Sequence, residues 1–462
     1  MDPLDPSPRP DRPRPRAPKP AFAAQILKPR RTWRRWAAAA AILALTAGGA
    51  AVVRHLAKRS PPVQAPVAVW SSPPVVGENL PTGGATHSCL LTRAGTALCW
   101  GTGEVGQLGV GTRRIALVPM AVTAAAPFSR ISAGASHTCG VTSDGAVLCW
   151  GLNEEGQAGA NSGTQCISAG LTYNCTSPPA PISGLPRMQL VRAGGSFTCG
   201  LAEDGVAYCW GGNRRGQLGR TTGLASDPPG RVGSSPSPQF RDLAAGQFHA
   251  CGVTTAGTIL CWGWDLYGQL GSTARMARCT TGSTVDPCTD TPVPVNTSAT
   301  FRTITAGAGH TCALSADGRA FCWGSNTHGQ LGIGSTREKA PSPVAVSGKH
   351  EFSALAAGSY FTCGLTPSGE VWCWGDNASG QLGTPPDSLG QSADPVRVAV
   401  PGRALSLGAG DRHACAILDG DRVTCWGNDG AAQLGDGQKA VTELPVMVRG
   451  DGGTGKPTAG SR

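Results

Sequence analysis

The tripeptide Cys-Trp-Gly occurs seven times, beginning at Cys99, Cys149, Cys209, Cys261, Cys322, Cys373 and Cys425, and no other feature restricts the fold so tightly. The intervals are 50, 60, 52, 61, 51 and 52 residues, room for one small sheet per unit with two enlarged members. Each of these cysteines has another ten positions earlier: Cys89, Cys139, Cys199, Cys251, Cys312, Cys363 and Cys415. In the second unit a three-residue loop, Ser143-Asp144-Gly145, puts glycine where a hairpin needs a left-handed residue and sets Cys139 opposite Cys149.

That register can be tested without the cysteines. It sets the seven tryptophans (Trp100, Trp150, Trp210, Trp262, Trp323, Trp374, Trp426) opposite Ser88, Thr138, Thr198, Ala250, Thr311, Thr362 and Ala414, all small enough to admit an indole. Cys and His then share one face of the hairpin and Trp takes the other, so both faces are covered. Radially stacked blades satisfy this, and 66 Gly with 37 Pro disfavour long helices. The expected fold is all-β, a seven-bladed β-propeller over 75–450. Six hairpin loops end in Gly, whereas Asp419-Gly420-Asp421 departs and predicts a different turn. The first unit lacks the Phe-x-x-Ile-x-Ala-Gly lead-in found at 128–134, and the last ends after Pro445–Val448. Strands from the two termini are therefore expected to share one blade and close the ring.

The Gly-x-x-His start, polar-Gly turn, Trp-Gly and Gly-Gln-Leu-Gly of the units at 85–450, as in 306–332, resemble the regulator-of-chromosome-condensation repeat family. The resemblance implies the propeller. Its founder is a nuclear guanine-nucleotide exchange factor on chromatin, which makes exchange on a small GTPase the alternative function. A secreted bacterial propeller that inhibits β-lactamases is closer in compartment and implies a protein-binding ring. No functional residue of either carries over.

Paired cysteines at a fixed cross-strand register suit disulfides, reduced core residues or metal thiolates. Cys-x9-Cys lacks the short knuckle of zinc sites, and each pair belongs to a separate unit, which favours disulfides. His87, His137, His249, His310 and His413 precede the first cysteine by two residues, but Phe197 and Phe361 stand there in the other units. A metal ligand does not tolerate Phe, so packing or hydrogen bonding is expected. No catalytic constellation, metal set or cofactor loop emerges, and none is expected.

The formal charge of +10 is local. Residues 1–59 hold thirteen Lys or Arg against three Asp or Glu, and the remaining chain carries 26 of each sign. Phosphate recognition needs a basic face, so no nucleic-acid partner is expected. Residues 1–35 read as a basic, Pro-rich disordered tail and 36–54 as a hydrophobic helix. Within it Ala37–Val53 is uncharged and follows Arg30, Arg31, Arg34 and Arg35, which predicts a signal-anchor or a cleaved signal peptide with the ring exported beyond the membrane. Residues 55–74 form a linker and 451–462 a disordered tail.

What differs between units should carry recognition. The second and fourth carry insertions at 160–179 and 272–292, each with cysteines nine apart, Cys166 with Cys175 and Cys279 with Cys288. Tyr173, Asn174, Arg275, Met276 and Arg278 are the expected contact residues for a protein partner of a monomeric ring. A Pro/Gly/Ser-rich stretch at 220–238 is expected to crowd the same rim.

Overall fold

The computed structural model describes residues 81–450, apart from 160–163, 223–225, 275, 282–283 and 440–441. The tail, the apolar segment and the linker expected before residue 75, and the tail after 450, lie outside the described residues. Seven antiparallel sheets follow one another in sequence, five of four strands and two of five. Blade 2 is representative: Phe128–Ala133, His137–Thr142, Val147–Leu152 and Leu171–Pro181 run from the central axis outward, with Gln165–Ser168 added at the edge.

The predicted register holds in every blade. Cys139 pairs with Cys149, Thr138 with Trp150 and His137 with Gly151, and the other six hairpins repeat this. Gly151 is required twice over. Its φ of 107° is closed to side chains, and a Cβ there would lie 2.6 Å from the Ser136 carbonyl oxygen. The irregularity after Cys149 turns the strand toward its outer partner. All seven tryptophans are fully buried at the seams between blades, and each indole donates to a glutamine carbonyl of the preceding blade, as Trp150 does to Gln107 at 2.9 Å. At the departing turn Asp421 takes the positive φ, 58°, that glycine supplies elsewhere.

Ring closure differs from expectation. Among the described residues no sheet combines the termini: Thr82–Gly83 is a short inner strand of blade 1, and Thr442–Met447 completes blade 7. The two-residue strand suffices because Gly408 of blade 7 leaves room for it; a Cβ there would fall 1.6 Å from the Pro81 oxygen. Closure then uses the same seam contacts as every other junction. Asp411 N donates to Gly84 O at 2.9 Å, and Trp100 Nε1 to Gln433 O at 2.8 Å.

Candidate recognition face

Antiparallel order puts two sets of connections on one face: the tight turns between first and second strands, and the long loops between third and fourth. The turns ring the mouth of a central channel lined mainly by Gly and Ala. Deeper in the wall, Arg192 pairs with Asp242 at 2.9 Å and donates to Leu243 O, while Asp242 accepts from Thr303 and the Ile304 amide. This network knits blades 3, 4 and 5 rather than presenting charge to a ligand.

Both insertions are hairpins on this face: Gln165–Ser168 against Leu171–Pro181, and Ala277–Thr281 against Thr284–Pro294. Cys166–Cys175 and Cys279–Cys288 are disulfides, as are the seven intrablade pairs. Of the residues expected to make contacts, Arg278 is exposed. Tyr173 is half-buried against Val105 and Leu152, the Asn174 amide donates to the Glu154 carboxylate, and Met276 packs inward on the core of blades 4 and 5. Arg275 lies outside the described residues. The hairpin tips present Ile167 and Leu171, 69% and 61% exposed.

The stretch at 220–238 does not crowd this rim. Ser226–Arg231 is the outer strand of blade 3, despite Pro228 and Pro229. Arg220 supplies hydrogen bonds that prolines cannot, donating to the Cys209, Pro228 and Gly230 carbonyls and to Asp227 at 2.8 Å. Residues 232–238 then cross to the opposite face.

The same face carries an aromatic cluster that sequence reasoning misses. Phe248 lies 5.9 Å from Trp264, and Trp264 lies 5.4 Å from Tyr267, both edge-on. The Arg215 guanidinium sits 5.0 Å from the Phe248 centroid and 4.9 Å from that of Trp264, and also pairs with Asp286. Tyr267 covers Gly309, and His328 with Tyr360, 5.0 Å apart, extend the aromatic surface over blades 5 and 6. Leu266 and Tyr360 are exposed. Beneath them burial pushes the Asp265 carboxyl up to about 6, against opposing pulls from the Leu270 amide and Lys339.

Trp264 occupies its place at a cost. In blades 5, 6 and 7 the buried glutamine amide of the Gly-Gln-Leu-Gly loop, or its Ala-Gln-Leu-Gly equivalent, donates to the residue after Cys-Trp-Gly: Gln330 to Ser325, Gln381 to Asp376, Gln433 to Asn428. An indole cannot accept, and Gln269 Nε2 is buried without a partner. Such an orphan costs about 1–3 kcal/mol. The signal was legible in principle: Trp264 and Phe248 replace residues that are small, polar or aliphatic in most sister units.

The five repeat histidines, His87, His137, His249, His310 and His413, take no part in this face. Each reaches a hydroxyl on the next blade, as His137 Nε2 does to Thr198 Oγ1 at 2.9 Å.

With seven Cys-Trp blades joined by the same indole-to-glutamine contact at every seam, the match to known families is decisive. The RCC1-like domain model covers residues 98–459. The chain belongs to the RCC1-like family. Among curated relatives it is 28% identical over 394 residues to the ultraviolet-B receptor UVR8 of Arabidopsis thaliana, covering 81% of this chain and 82% of the relative. It is 27% identical over 265 residues to the human E3 ubiquitin-protein ligase HERC2, covering 56% of this chain but 5% of the ligase. Solved structures share the fold: human WBSCR16, TM-score 0.66 at 22% identity over 76% of this chain and 93% of that one, and Prp20p of Saccharomyces cerevisiae, 0.65 at 21% over 83% and 87%.

Proposed function

We propose that this RCC1-like ring is a non-catalytic protein-binding module, tethered at the cell envelope or secreted, which engages its partner through the face bearing the two hairpins and the aromatic cluster. The observation that carries the reading is Trp264, an aromatic side chain kept on that face although it strands the buried Gln269 amide. Large aromatics and arginine are the side chains that dominate protein contacts. RCC1-like propellers are in general binders or regulators, and Prp20p itself binds Gsp1p and histones. Nine disulfides favour an oxidising compartment over the cytosol that an exchange factor must share with its GTPase.

Site-specific photo-crosslinking in the native cells tests this. A crosslinker at Leu266 or Tyr360 should give one discrete adduct, and one at Thr255, on the opposite face, none. Trp264→Ser should abolish the adduct while the ring stays folded, the new hydroxyl that can accept from Gln269 offsetting part of the lost contacts to Phe248, Tyr267 and Arg215. Equal adducts from both faces, or an undiminished adduct in Trp264→Ser, would refute the assignment.

A further inference from the structure

The seven seams between blades are of two kinds. At five, an imidazole meets a hydroxyl on the next blade: His87 with Thr138, His137 with Thr198, His249 with Thr311 and His310 with Thr362 at 2.9 Å, and His413 with Ser88 at 2.7 Å. Each hydroxyl donates its own proton to a glutamine carbonyl, Thr138 to Gln107 at 2.8 Å for example. It must therefore accept from the ring, which fixes the hydrogen on Nε2 and leaves Nδ1 bare. All five Nδ1 atoms are buried without a partner. At the other two seams Phe197 packs with Ala250 and Phe361 with Ala414, and neither residue titrates.

We propose that acid opens the ring between blades at the five histidine seams, while the two phenylalanine seams and the intrablade disulfides hold. The propeller would then separate into blocks of intact blades, with blades 3 and 4, and 6 and 7, still joined. A proton can enter only at Nδ1, where it creates a cation with no acceptor against a glycine backbone; a Cβ on Gly134 would lie 2.4 Å from His137 Cε1. Neighbouring rings face the same problem, His413 and His137 beside His87, and His249 beside His310. Charged side chains on the turns leading into these histidines are Asp411 and Arg412, both before His413, and the Arg192–Asp242 pair lies in the channel wall. No carboxylate hydrogen-bonds any of the five rings among the described residues.

Burial holds His87, His137, His249 and His310 down to about 3, and His413 to about 4, against 6.5 in the open chain. An opened seam takes a proton that a closed seam refuses, so closure is fully present above 6.5 and is lost as pH falls from there toward 3.

Hydrogen exchange of the full, oxidised protein between pH 7 and 4, corrected for intrinsic rates, reads this seam by seam. The amides of Ala85, Ala135, Gln247, Ala308 and Asp411 bridge histidine seams, and those of Gly195 and Ser359 bridge phenylalanine seams. Protection should fall about tenfold per pH unit at the first five and stay level at the last two. His87→Phe with Thr138→Ala copies a seam the chain already uses and should flatten the response of Ala85. Phe197→His with Ala250→Thr should import it at Gly195, which keeps the test open if the first pair fails to fold. Parallel loss at all seven amides, or no loss at any, overturns the proposal.

Discussion

The hairpins of blades 2 and 4 share one geometry on opposite footings. Their long strands have the same burial pattern residue for residue. At the root of the first, Val105 of the preceding blade, Leu152 and Tyr173 close over Cys166–Cys175, and both cysteines are fully buried. At the equivalent positions of the second stand Arg215, Trp264 and Asp286, and Cys279 is half-exposed. An apolar triad has been exchanged for an ionic, cation–π one with the strand register unchanged, Cys166 facing Tyr173 as Cys279 faces Asp286. The Arg215 guanidinium holds the Asp286 carboxyl below the usual carboxylate range, burial opposing it and the Trp264 indole adding to it. The shape of a stapled hairpin is thus independent of its root chemistry, and the root decides what the neighbouring face displays.

The largest effect should come from the staples. Replacing Cys166 and Cys175 by Ala releases a loop whose closure is worth about 3 kcal/mol, and Cys279 with Cys288 closes one of equal span, so the entropic loss is common to both. Any excess must come from packing. Limited proteolysis of each double variant should show the first hairpin retaining more protection than the second, because its triad persists without the disulfide. Equal cleavage would mean that the apolar root contributes nothing.

Exchanging the roots has the next largest effect. Val105→Arg presses an unpaired guanidinium on Tyr173 and Leu152, and Arg215→Val removes contacts to two rings, each worth about 0.5–2 kcal/mol. Adding Tyr173→Asp to the first variant, or Asp286→Tyr to the second, should recover most of the loss. A double-mutant cycle on hairpin protection measures it. Additive effects would show that the paired positions do not interact and that the two footings are accidents of composition.

That pairing marks the limit of what the sequence discloses. The register, the seven buried indoles and the local cysteine pairs follow from spacing within one unit, because a hairpin's geometry is local. Relations across a seam join residues of two units and do not show as periodicity. The residues opposite the tryptophans read simply as small; contact between blades adds that a hydroxyl occurs wherever the preceding unit carries His, and Ala wherever it carries Phe. Ring closure escapes the sequence for the same reason, since the space that Gly408 vacates belongs to Pro81 at the other end of the chain. The stretch at 220–238 reads as a loop because prolines break ladders, and only Arg220, reaching across its own blade, restores the strand. Half-buried Phe248 and Trp264, in separate elements of blade 4, and exposed Tyr360 two blades away gather on one face by topology.

The smallest effect, and the sharpest discriminator of the two footings, is salt. Arg215 and Asp286 keep 16% and 17% of their side-chain surface, enough for counterions to reach them, whereas Val105, Leu152 and Tyr173 carry no charge to screen. The Debye length falls from about 10 Å at 0.1 M to about 3 Å at 1 M, so the ionic root weakens modestly and the apolar one does not. Exchange protection of 284–294 should drop by roughly twofold over that range in sodium chloride while that of 171–181 holds level, and Arg215→Val should abolish the difference. Ser168 also bonds to Glu104 at the first root, but a hydroxyl–carboxylate contact is neutral at one end and responds less to screening than a pair of opposite charges. A first hairpin as salt-sensitive as the second would place that hydrogen bond, rather than the Val105–Tyr173 packing, in control of its attachment.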